Sequence, residues 1–168
     1  MATDDNVNLR ILHPSRKAVH AGDVFAMQVP DGRFLFGRVI STEAVWNNVG
    51  AGHPAILIYI YRHVSQEAAP VLPDRKVLSP GNLLVPPKFI NRLPWSRGYF
   101  QTIASLPLAQ GDVLPVHCFY SSVFRRYYGD GGRELPGRVE PCGTWALSSY
   151  RTVDDDVSRA LGIPLAPD

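Results

Sequence analysis

Charge is the first thing this 168-residue chain has little of: charged residues make up 19% and the formal net charge is only +2. Polyanion binding needs several lysines or arginines on one face, so this balance leaves no electrostatic footprint for nucleic acid. Long hydrophobic runs are also missing. The longest, Ala55-Ile56-Leu57-Ile58-Tyr59-Ile60-Tyr61, is far below the roughly 20 residues of a spanning helix, which argues against a membrane partner. Asp4 and Asp5 stand where a secretory signal would be positive, and only Ile11-Leu12 is apolar nearby, so the expected address is cytoplasmic. Cys118 and Cys142 can form at most one disulfide, and a reducing cytoplasm favours two free thiols used for packing.

Catalytic motifs are missing as well. No Gly-x-Ser-x-Gly element occurs, and Gly129-Asp130-Gly131-Gly132 lacks the lysine and the strand-to-helix setting of a phosphate cradle, which leaves a flexible turn. His117 and Cys118 would be a nucleophile and its base, but neighbours on a strand point to opposite faces. His13, His20, His53 and His63 are scattered without zinc spacing. The expectation is a protein with no catalytic residues, no metal and no cofactor, hence not an enzyme.

What the chain does contain is turn chemistry and alternation. Hydrophobic residues make up 45%, and Pro 15 with Gly 14 indicates many short elements. The length fits a single domain over 1–168, with an N-terminal arm at 1–20, a core at 21–162 and a tail at 163–168. Two apolar runs flank Pro30-Asp31-Gly32, where proline pre-sets the first corner and glycine takes the left-handed position of a bulged hairpin loop. Period-2 alternation puts Phe25, Met27 and Val29 on one face of the first strand and Phe34, Phe36 and Ile40 on one face of the second. The run 55–61 reads as a central strand covered on both faces. Prolines at 70, 73, 80, 86, 87 and 94 predict a long wrapping connection with at most short edge strands. Further strands are expected at 98–104 and 113–120, and a last short one within 144–147. The fold class is therefore mostly β: a strongly curled antiparallel sheet or partial barrel of at least five strands, with one short C-terminal helix.

That helix is expected over 153–161, with Thr152 as N-cap, Asp154, Asp155 and Asp156 in the first turn, and Gly162 and Pro164 beyond its end. Three consecutive carboxylates exceed what a cap and a dipole use, so Asp154, Asp155 and Asp156 are candidate partner contacts. Arg125, Arg126, Tyr127 and Tyr128 form a second candidate, because arginine and tyrosine are enriched at interface hot spots. The segment 121–128 reads equally as strand or short helix.

Several features in order resemble the immunity protein 26 family of bacterial polymorphic toxin systems. They are Gly22-Asp23-Val24-Phe25-Ala26, Asp31-Gly32-Arg33, Gly37-Arg38-Val39, Ile58-Tyr59, Pro86-Pro87, Trp95, Gly98-Tyr99-Phe100 and Leu106-Pro107-Leu108. The stretches 45–52 and 121–141 carry no clear family pattern and are candidate places for partner specificity. The resemblance implies a mostly β fold and a partner that is a cognate toxin domain encoded by a neighbouring gene; it implies no catalytic residues and no oligomeric state. Two other readings stand beside it: an SH3-like small-barrel module binding nucleic acid or peptide, and a small-barrel nuclease whose acid/base constellation is not visible.

Overall fold

The computed structural model describes residues 6–46 and 54–168. The first hairpin forms as the alternation demands: β1 covers Asp23–Gln28 and β2 covers Phe34–Ala44. Its loop closes as a bulged turn, with Val29 N–H donating to Arg33 O at 3.0 Å, Gly32 at φ 93° and Asp31 Oδ1 accepting from Arg33 N–H. β3, Ala55–Ser65, pairs with β2 and is buried on both faces over 55–61.

The proline-rich connection departs from expectation. It contains a full strand, β4 at Leu83–Ile90, paired antiparallel with β3. Lys88 faces Ile58 and Val85 faces Ile60, so Pro86 and Pro87 bulge opposite the single residue Tyr59, where no proline N–H is required. It also contains α1, Leu93–Arg97, with Pro94 in its first turn, where a missing N–H is harmless. Gly98 ends α1 in the left-handed conformation, and a Cβ there would stand 2.8 Å from Pro14. The next strand, β5, is therefore Gln101–Ser105 rather than starting at 98.

Beyond it, 113–117 is irregular and β6 is only Cys118–Ser121. β7 is Arg126–Tyr128, β8 Glu134–Leu135, β9 Cys142–Thr144 and β10 Leu147–Ser148. α2 runs over Tyr150–Leu161. It starts earlier than its apolar pattern suggests, because the cap is Ser149, whose Oγ accepts from Thr152 N–H, and not Thr152 itself. Asp154 to 156 consequently lie past the first turn, away from the strongest part of the helix dipole.

The strands form two sheets, in the orders β10-β4-β3-β2-β1-β5 and β8-β7-β6-β9. Both are open at their ends, and neither is strongly curled or closed into a barrel, which corrects the expected architecture. Nor is pairing purely antiparallel, since β10–β4 and β6–β9 are parallel. The physical reason is that both faces of the larger sheet are covered from outside, so closure is not needed to bury them. One face presents Phe25, Met27, Leu35, Ile56, Ile58 and Ile60 to Leu9, Trp95 and the Tyr150, Val153 and Val157 face of α2. The other presents Phe36, Leu57, Tyr59, Tyr61 and Phe89 to Phe119 of the smaller sheet and the Trp145 ring. Phe89 and Phe119 meet at 4.1 Å between ring centroids. Gly143 permits this approach, since a Cβ there would lie 2.5 Å from Pro87 O. Among the described residues no helix is long and apolar enough to cross a membrane.

Candidate functional site

Several polar groups that could carry chemistry lie inside the molecule. His117 precedes β6, and its Nε2 lies 2.6 Å from the hydroxyl of Tyr59 on β3. That hydroxyl accepts from Leu114 N–H at 3.0 Å, and His117 Nδ1 lies 3.3 Å from Asp130 Oδ1; in the tautomer with Nδ1–H directed at that carboxylate, Nε2 accepts the Tyr59 hydroxyl proton. Burial pushes the Tyr59 phenol up to about 12, and the hydrogen bond from His117 holds the Asp130 carboxyl below its usual value. Tyr59 and His117 are buried, and only the Asp130 end of this line of groups is open to solvent. It is a clamp joining β3, the start of β6 and the 129–132 loop. That loop is held further by Val45 N–H donating to Asp130 O at 2.7 Å and Gly129 N–H donating to Arg133 O at 2.8 Å.

Arg38 is likewise interior and wholly buried. Its Nη2 donates to Leu106 O at 2.7 Å, and its Nη1 stands 3.2 Å from Asp112 Oδ2 in a charge contact without hydrogen-bond alignment. Asp112 also pairs with Arg75 at 3.1 Å, so the group ties the 106–112 segment across the sheet. Cys118 and Cys142 are free thiols facing each other on β6 and β9, Sγ to Sγ 3.4 Å. Burial, reinforced by the neighbouring Cys118, pushes the Cys142 thiol up to about 11, which disfavours the nucleophilic thiolate. Among the described residues no group of three or more His, Cys, Asp or Glu side chains is placed to hold a metal ion.

The surface candidates separate clearly. The ambiguous segment 121–128 is a β-hairpin: Phe119 faces Tyr128, Tyr120 faces Tyr127 and Ser121 faces Arg126. Alternation sends Tyr128 inward, where it is buried and stacks on Trp145 at 4.8 Å. Tyr120 and Tyr127 meet on the opposite face, ring centroids 5.1 Å apart. Arg125 and Arg126 are exposed and Tyr127 is half-buried, so three of the four expected contacts can be offered to a partner. The turn adds two residues that sequence reasoning passed over. Val123 is 81% exposed and Phe124 58% exposed. The available signal was an apolar pair between Ser121-Ser122 and Arg125-Arg126, in a segment whose conformation the sequence left open.

The acidic candidate is weaker than expected. Asp154 is 1% exposed and accepts from the backbone N–H groups of Asn8 at 3.0 Å and Leu9 at 2.7 Å. Asp156 pairs with Lys88 and, at 3.4 Å, with Arg159 beside a groove of about 400 Å3 lined by Pro86, Pro87 and Thr144. Only Asp155, half-buried, keeps a side chain without such a commitment. Of the 45–52 stretch, Val45 bridges to Gly131 and Trp46 packs against the core; residues 47–52 lie outside the described residues.

The described residues thus define a β-rich protein whose polar interior is committed to structure and whose small sheet carries a protruding, apolar-tipped hairpin. The family model for immunity protein 26 matches residues 20–126, more than half of the chain, and the chain belongs to that family. No curated protein and no solved structure matches it.

Proposed function

We propose that this protein binds a cognate toxin domain, encoded by a neighbouring gene of a polymorphic or contact-dependent toxin system, and neutralises it in the cytoplasm of the producing cell without catalysis of its own. The family match over 20–126 carries this reading. The interior supports it, because His117, Tyr59, Asp130 and Arg38 are each engaged in holding elements together. Inhibition by surface complementarity needs no reaction chemistry.

The contact surface in this reading is the β6–β7 hairpin, with Arg125, Arg126 and Tyr127 facing the toxin and Tyr128 anchoring the hairpin from within. Asp155 and Asp156 are the second choice of surface. Co-expression tests the function directly. A sensitive bacterium expressing the adjacent toxin domain should survive when this chain is present, and the purified chain should show no nuclease or hydrolase turnover. Loss of protection, or turnover abolished by one acidic or histidine substitution, would overturn the reading.

A further inference from the structure

The tip of the β6–β7 hairpin is built to hold its shape. Ser121 O accepts from Arg125 N–H at 2.7 Å and Ser121 Oγ accepts from Phe124 N–H at 3.1 Å. The base of the hairpin is gripped by Phe119, Tyr128 and Trp145, whose rings pack together. Arg125 sits at φ 55°, a left-handed position that glycine fills without strain and that other residues occupy at an energetic cost. An arginine at this position, which is suited to glycine, places a cation on the turn. Side by side with it stand Val123 and Phe124, among the most exposed large apolar side chains of the described residues. Neither residue type is demanded by the turn, which polar residues make equally well.

Charge decides what can receive this tip. Arg125 has no ion pair among the described residues, and Arg126 pairs only with the exposed Glu134, at 3.4 Å. No acidic residue lies between 113 and 129, so nothing local along that stretch neutralises the apex. A receiving surface must combine an apolar recess for two side chains with carboxylates at its rim.

Resting on the toxin-binding reading above, we propose that the hairpin tip is a preformed plug: Val123 and Phe124 enter an apolar cleft of the toxin domain, and Arg125 meets carboxylates at the rim of that cleft. A rigid tip loses little conformational freedom on docking, which favours affinity. The partner surface at this contact is therefore locally acidic.

The test measures binding of the adjacent toxin domain, purified as a catalytically dead variant, to the full chain. V123S/F124S should weaken binding by more than about 30-fold, the hot-spot threshold expressed as a ratio. V71S/L72S removes a second exposed apolar pair, 55% and 40% exposed, and should leave affinity within about threefold. R125D should slow association in a salt-dependent way, while R125K keeps most of the rate. Amide exchange at 121–126 should slow in the complex. Unchanged melting temperatures show that the variants fold. If the native chain binds the toxin and V123S/F124S binds equally well, the plug is overturned while the toxin reading stands. If the native chain neither binds nor protects, both fall. Binding of a single-stranded oligonucleotide through Arg125, or self-association lost in V123S/F124S, overturns the plug in favour of a different occupant.

Discussion

The Tyr59 hydroxyl and the Nε2 atom of His117 sit 2.6 Å apart at the seam between the two sheets. The hydroxyl works in both directions, since it also accepts from Leu114 N–H at 3.0 Å. Tyr59→Phe keeps the ring and leaves a buried imidazole nitrogen and a backbone N–H without partners. The expected loss is about 1–3 kcal/mol by chemical denaturation, the range for unsatisfied buried groups. A change below about 0.5 kcal/mol would mean that water replaces the hydroxyl at both bonds.

Asp130 gives the same clamp a pH dependence. The hydrogen bond from His117 lowers its carboxyl pKa below the ordinary aspartate value. A depressed folded-state value means that the contribution is complete above about pH 4 and is lost as pH falls through the folded value. Asp130→Asn should therefore flatten the acid limb of the stability curve below about pH 4. An unaltered acid limb in urea melts would show that the carboxylate is not held by His117.

Asp154 should control the N-terminal arm. Its two carboxylate oxygens receive the N–H groups of Asn8 and Leu9, and burial raises its pKa against those bonds. Asp154→Ala removes both acceptors, so the amides of Asn8 and Leu9 should exchange faster by at least tenfold, with a global loss of about 1–3 kcal/mol. Toxin binding through the hairpin should be unaffected. Loss of binding with the fold intact would move the interface to α2.

Gly37 is a packing position, not a turn. A Cβ there would stand 2.2 Å from Phe25 Cζ and 2.7 Å from Tyr59 O. Gly37→Ala should destabilise by about 1–3 kcal/mol through overpacking, despite alanine's smaller loss of backbone freedom. Thermal unfolding distinguishes the two effects by sign.

Local rules read well where the element and its burial follow one period. The β1–β2 hairpin and its Pro30-Asp31-Gly32 loop were legible from alternation and turn chemistry, and the two-faced burial of 55–61 from a short, continuous run of β-branched and aromatic residues. They failed at β4, where a bulge against Tyr59 absorbs Pro86 and Pro87 and lets the rest of the strand pair. Placing the helix start at Thr152 failed because Ser149 caps equally well by chemistry, and Tyr150 has a stacking partner in Tyr99 that only the folded chain supplies.

The candidate site shows the same division. From the sequence alone came the family, the mostly β class, core residues of the first three strands and the presence of an arginine–tyrosine cluster at 125–128. The family came from a resemblance of ordered motifs, and the rest follows from composition and alternation, which are properties of neighbours along the chain. Tertiary structure decided that Tyr128 and Asp154 face inward, that Val123 and Phe124 face outward, and that two open sheets replace a barrel. Exposure depends on what packs above a residue, here Trp145 over Tyr128 and the N-terminal arm over Asp154, and those groups arrive from distant parts of the chain.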